Sequence, residues 1–165
     1  MKIEIDPKLD LVLEKIVPAS PEQIYKAWTD QVGIKNWFCP KPWQTVECEM
    51  ELRPGGKFFT VMQSPEGQKF PSTGCFLELV PYEKLVWTSA LQTGFRPSPK
   101  PQNPHDLMFT ATLLLEKYPE GTKYTAIAMH QDEEGRKVHE QMGFHDGWGM
   151  VVQQLAEYLK DKNSL

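Results

Sequence analysis

The chain has 165 residues, with 18 basic against 22 acidic side chains, a formal net charge of -4 and no cluster of Lys or Arg. A length within the roughly 100–200 residues of one domain, an apolar content near the globular norm and 24% charged residues exclude disorder, collagen-like repeats and coiled coil. The missing basic patch excludes a nucleic-acid partner, and the absence of 18 consecutive apolar residues excludes a membrane-spanning helix. MKIEIDPKLD holds no signal-peptide core, so the expected compartment is the cytoplasm. Cys39, Cys48 and Cys75 are odd in number and form no C-x-x-C pair, the pattern of reduced, packed thiols.

A strand is expected over 9–17, where Leu9, Leu11 and Leu13 alternate with Asp10, Val12 and Glu14 before Pro18 stops it. Ser20-Pro21-Glu22-Gln23 then supplies a helix N-cap, Pro at the first helical position and a capping-box Gln. Ile24, Ala27 and Trp28 give that helix its apolar stripe, and a second short helix is expected over 32–38. From Trp43 the period becomes two: Val46, Cys48, Met50 and Leu52 share a core face, and Thr45, Glu47, Glu49 and Glu51 share a wet one.

Four turn motifs punctuate the middle of the chain: Arg53-Pro54-Gly55-Gly56, Ser64-Pro65-Glu66-Gly67, Pro81-Tyr82-Glu83-Lys84 and Tyr118-Pro119-Glu120-Gly121. The first fits a type II turn, Pro at i+1 and Gly at i+2. Between the turns, β-rich runs over 57–63, 73–80, 85–91, 107–116 and 123–131 complete a six-strand meander. The turns absorb much of the excess of Pro, 14 residues where about 5% is usual. A stretch over 94–106 carries Pro97, Pro99, Pro101 and Pro104 and reads as a stiff crossover or a lid.

Helical composition returns over 132–142, bends at Gly143 and continues over 145–162. There Trp148, Val152, Leu155 and Leu159 form one buried stripe, opposite Gln154, Glu157, Lys160 and Asp161. Segregated helices and an antiparallel sheet define an α+β class, with 1–165 read as a single domain.

Ala27-Trp28-Thr29, Trp37-Phe38 ahead of Pro40, Arg53-Pro54-Gly55-Gly56, Gly67 and Gly74, Leu85-Val86-Trp87, Gly121-Thr122, the run from His139 to Phe144 and Gly147-Trp148 succeed one another in a particular order and spacing. In this the chain resembles the helix-grip (START-like, SRPBCC) superfamily, in the branch related to the C-terminal domain of the activator of the ninety-kilodalton heat-shock protein ATPase. The resemblance implies a curved antiparallel sheet wrapped around the long C-terminal helix, with two short helices after the first strand. It also implies a cavity between sheet and helix of the kind that related proteins use for apolar or aromatic small molecules.

The candidate chemistry is sparse. His130, His139 and His145 cluster in sequence, but residues 139 and 145 fall about 240° apart on a continuous helix and lack the ligand pattern of zinc, so no metal is expected. No nucleophile motif or phosphate loop is present and no cofactor is called for. Glu47, Glu49 and Glu51 read as a solvated strand face. His130 ends the last strand on the parity of Tyr124, Ala126 and Ala128 and suits acid–base work or a structural hydrogen bond, and His145, beside Asp146 at the start of the last helix, either caps it or faces the pocket mouth.

The aromatic residues Trp28, Trp37, Phe58, Trp87, Phe109 and Trp148 lie on elements that the fold would converge, as core or as the wall of an apolar pocket. Trp28 reads as buried support. The expected ligand-contacting set is therefore Trp37, Phe58, Trp87, Phe109, His130, His145 and Trp148, holding a hydrophobic small molecule. Two other roles stay open. One is a co-chaperone-like domain that binds a chaperone through the outer face of the sheet or the Pro-rich loop; the other is a cyclase- or hydrolase-like enzyme with His130 or His145 as general base.

Overall fold

Ser20 starts the first helix by both halves of a capping box: its Oγ accepts from the Gln23 backbone N–H at 3.2 Å, and the Gln23 side chain accepts from the Ser20 N–H at 2.9 Å. Helix α1 (Pro21–Trp28) buries Ile24, Ala27 and Trp28. It comes after strand β1 (Asp10–Val17). These elements belong to a computed structural model that describes residues 3–103 and 106–163. Pro104 of the Pro-rich stretch, and His105 beside it, lie outside the described residues. The short helix expected over 32–38 is a single 3-10 turn, Gly33–Asn36, that buries Ile34 and delivers Trp37 to the core.

The meander is built from β2 (Gln44–Met50), β3 (Lys57–Gln63), β4 (Lys69–Val80) and β5 (Lys84–Thr88). A two-stranded ribbon, β6 (Leu91–Gln92) with β7 (Arg96–Pro97), comes next. The hairpin of β8 (Phe109–Tyr118) and β9 (Gly121–His130) completes it. β1 pairs with β9, so the seven-stranded sheet runs β1-β9-β8-β5-β4-β3-β2 and is antiparallel throughout. Gly55 takes φ +80°, the position-three geometry of a type II turn, and the Gly56 N–H closes that turn on the Arg53 carbonyl at 2.8 Å.

Register puts the core residues in rows across the sheet. Leu11, Ala128, Ala111, Trp87 and Phe76 are successive partners in one row, and Leu13, Ala126, Leu113, Leu85 and Leu79 in the next. Phe109 and His130 pair at the end of the β8–β9 ladder.

Two local expectations are corrected. A bulge between Thr45 and Glu47 turns Thr45 inward, so it is buried while Val46 is only half-buried. Leu52 lies beyond the end of β2 and is exposed. Part of the Pro-rich stretch is ordered by the β6–β7 ribbon and by a 3-10 turn, Thr93–Phe95, which contacts the first hairpin through a Gly94 N–H to Gly55 carbonyl bond of 2.7 Å.

After β9, Asp132 caps α2 (Glu133–Gln141) by accepting from the Gly135 N–H at 2.8 Å. Gly143 takes φ +94°, a left-handed residue that ends one helix and redirects the chain into α3 (Phe144–Asn163). Val152, Leu155 and Leu159 are buried as the stripe requires, and Trp148 is half-buried. Gln154 is the exception on the face read as polar. It is buried, its Nε2 donates to the carbonyls of Trp37 (3.0 Å) and Cys39 (2.8 Å), and its Oε1 accepts from the Lys41 N–H (3.0 Å). This amide ties α3 to the segment after the 3-10 turn. An amphipathic count misses it, because residue 154 sits about 100° round the helix from Leu155, at the edge of the apolar stripe.

Candidate functional site

Aromatic side chains from six elements meet on the face of the sheet that α3 covers, in two adjoining groups. In the first, Trp28 of α1 packs edge-on against Trp37 (centroids 5.1 Å apart) and Phe38 (5.4 Å) and contacts Trp87 of β5 (5.1 Å). Phe58 of β3 stacks on Phe76 of β4 at 4.9 Å and reaches Trp87 at 5.7 Å. Trp37 is only 1% exposed, yet its indole Nε1–H has no hydrogen-bond partner among the described residues. The Trp28 indole N–H is in the same condition, and an unmet buried donor costs about 1–3 kcal/mol, so the two indoles are polar points in a largely apolar wall.

In the second group, Phe109 of β8 and Trp148 of α3 lie 5.9 Å apart, and Trp148 contacts Phe144 at 4.7 Å. Between them sit two buried imidazoles. His130 Nδ1 lies 2.8 Å from the Leu9 carbonyl, and His130 Nε2 lies 2.8 Å from His139 Nδ1. A carbonyl only accepts, so His130 carries its proton on Nδ1. In the neutral pair the second bond then needs the proton of His139 on Nδ1, which leaves His139 Nε2 as a bare acceptor. The rings of Phe109 (4.9 Å), Phe144 (5.3 Å) and Trp148 (5.9 Å) surround His139. Burial, reinforced by the charge that His130 would carry, lowers the pKa of His139 to about 4 and keeps it neutral near pH 7.

The seven residues expected from sequence divide accordingly. Trp37 and Phe58 are buried; Trp87, Phe109 and Trp148 are half-buried on the same core. His130 is buried with both ring nitrogens engaged, and so presents no free nitrogen to a substrate. His145 is exposed, its ring edge against Phe144 at 5.1 Å. Trp28 is buried, in keeping with a supporting role. His139, Phe144, Phe38 and Phe76 complete the site and were not in the expected set. α2 carries little apolar pattern, so nothing in its periodicity marks His139 as the residue that turns inward.

The remaining chemistry is quiet. Glu47, Glu49 and Glu51 are exposed, and Glu49 and Glu51 pair with Lys57 (3.1 Å) and Arg53 (3.2 Å). Burial pushes the Cys39 and Cys48 thiols up to about 11, so neither is a thiolate at neutral pH. Among the described residues no group of three or more His, Cys, Asp or Glu is placed to hold a metal ion, and no helix is long and apolar enough to cross a membrane. A groove of about 510 Å³ between α1 and the end of α3, lined by residues such as Lys26, Asp30 and Tyr158, lies away from the aromatic groups.

The family model described as activator of Hsp90 ATPase homolog 1-like protein matches residues 18–160. The chain belongs to this AHSA1 family. AHSA1-like proteins fall in the SRPBCC helix-grip superfamily, and the α+β architecture found here is that fold with an open sheet. A crystal structure of a Nitrosomonas europaea protein is 44% identical, covers 98% of this chain and all of that one, and superposes with a TM-score of 0.91. Two further solved structures agree in fold. An Arthrobacter aurescens protein solved by NMR is 20% identical, with 97% and 91% of the two chains covered and a TM-score of 0.80. A Rhodobacter sphaeroides crystal structure is 21% identical, with 97% and 99% covered and a TM-score of 0.79. No curated protein matches the chain. The fold of the family commonly takes hydrophobic ligands, which puts the aromatic groups between sheet and α3 at the centre of the functional question.

Proposed function

We propose that this protein binds an apolar or aromatic small molecule between the sheet and α3, against Trp87, Phe109 and Trp148, with Trp37 and Phe58 as the buried wall behind them. The observation that carries this reading is that three large aromatic side chains from three elements converge on one core and are only half-buried there. Fully covering a side chain of this size is worth about 1.5–3 kcal/mol, so a fold selected for core packing alone would close over them. Rings that stay reachable beside the neutral imidazole of His139 form a largely apolar surface with few polar points, the usual make-up of a small-molecule site. The three free cysteines suit a reducing compartment, which supports a cytoplasmic location.

Native mass spectrometry of protein purified from its own host tests the reading. A retained small organic mass, lost on denaturation, is expected. The bare polypeptide mass under conditions that keep the fold would count against it.

A chaperone-directed role has one supporting observation besides the family's description. Trp43 (38% exposed) and Phe70 (43% exposed) pack together at 5.4 Å on the surface near the β2 edge of the sheet. Paired exposed aromatics are a feature of protein contact sites. If that role holds, Trp43→Ala with Phe70→Ala abolishes pull-down of the host chaperone while leaving small-molecule retention intact.

A further inference from the structure

We infer that His139 is the polar recognition point of the ligand site, and that it selects aromatic molecules bearing a hydroxyl or N–H donor over purely apolar ones. This rests on the ligand-binding reading and adds the substrate class to it.

A backbone atom sets the tautomers. The Leu9 carbonyl, 2.8 Å from His130 Nδ1, fixes which nitrogen of His130 is protonated. That leaves His130 Nε2 as an acceptor, and the 2.8 Å bond to it draws the one proton of neutral His139 onto Nδ1. The two nitrogens of an imidazole point to nearly opposite sides. With Nδ1 aimed at His130, Nε2 of His139 is aimed away from it, on an imidazole whose ring packs against Phe109, Phe144 and Trp148. His139 is 7% exposed, and its Nε2 has no hydrogen-bond partner among the described residues.

An acceptor held in one tautomer, without a partner among the described residues and flanked by rings, discriminates by chemistry. It gains a bond from a phenol or an azole N–H whose ring stacks on Trp148 or Phe109, and an apolar analogue leaves it unmet. Sites built to hydrogen-bond a donor reject the analogue lacking it more strongly than apolar walls reject a change of size. His130 makes no contact with ligand in this scheme. It is a positioning residue that transmits the Leu9 carbonyl's choice of tautomer to His139.

The test uses 2-naphthol and 2-methylnaphthalene, which share a ring system and differ in the donor. Their affinities are measured by tryptophan emission on the wild type and on His139→Phe, a ring for a ring among aromatic neighbours. The ratio of naphthol to methylnaphthalene affinity is expected to be at least fivefold higher in the wild type, about 1 kcal/mol, the worth of one hydrogen bond. An unchanged ratio, with both compounds bound, overturns the role of His139 and leaves the ligand site standing. Binding of neither compound overturns the site and this inference together.

A second measurement needs no variant. Nitrogen-15 spectra of the wild-type protein should show His139 with Nδ1 protonated and Nε2 bare, and the Nε2 resonance should move on adding 2-naphthol and stay on adding 2-methylnaphthalene. His130→Gln should mix the His139 tautomers, which a merely structural role would not require. An Nε2-protonated His139 in the wild type, or a resonance indifferent to 2-naphthol, overturns the proposal.

Discussion

His130 Nε2 and His139 Nδ1 stand 2.8 Å apart, joining the last residue of β9 to the inner face of α2. The pair has a consequence for stability. His139 takes up a proton only near pH 4 when folded, whereas an unfolded His does so near 6.5. Between those values the unfolded chain binds more protons, so stability rises with pH there, is fully present above about pH 6.5 and is lost as pH falls toward 4. Urea unfolding at pH 7.5 and pH 4.5 should differ by about 2–3 kcal/mol from this group. His139→Phe should flatten that part of the profile, and an equally steep profile in the variant would assign it to other groups.

Gln154 gives a prediction about architecture. Replacing it with Leu strands the Trp37 and Cys39 carbonyls and the Lys41 N–H in a buried setting. We expect Gln154→Leu to cost about 2–4 kcal/mol in chemical denaturation. The same change at its exposed neighbour Gln153 should stay within about 0.5 kcal/mol.

The reachable aromatics separate a ligand site from a core. Trp148→Phe and Phe109→Leu preserve apolar bulk and should alter stability by less than about 1.5 kcal/mol. Each should weaken binding of a compound found by screening at least fivefold, read by isothermal titration. Unchanged affinity with a larger stability loss would make both residues core and nothing more.

Ser20→Ala tests the local account of α1. Loss of the cap should cost about 1 kcal/mol in the unfolding free energy. An unchanged value would mean that packing of Ile24 and Trp28 alone sets where the helix begins.

The features legible in the sequence are those that neighbouring residues decide. Ser20 to Gln23 spells its own cap, Pro54-Gly55 its own turn, and Trp148 to Leu159 its own stripe, and each stands in the structure. The hairpin turns then dictate the meander, because short connections leave adjacent strands nowhere else to pair. The losses came where distant parts decide. Thr45 turns inward through a bulge against β3, which no alternation reveals. Gln154 is buried by three backbone groups more than 110 positions away. His139 meets His130 across the turn that Asp132 caps, a contact between α2 and the end of β9 that no local pattern reveals. Aromatic content pointed to side chains that the fold does bring together, and the imidazole among them depended on the placement of α2.

The central claim is that the half-buried aromatics receive a ligand, and a thermal-shift screen of apolar and aromatic compounds, with tryptophan emission monitored in parallel, meets it most directly. A ligand at 100 times its dissociation constant adds about 2.7 kcal/mol. For a chain of 165 residues that is a rise of about 5–10 °C in Tm. We expect at least one compound to produce it together with saturable quenching of emission. A screen in which no compound raises Tm or quenches emission would contradict the account.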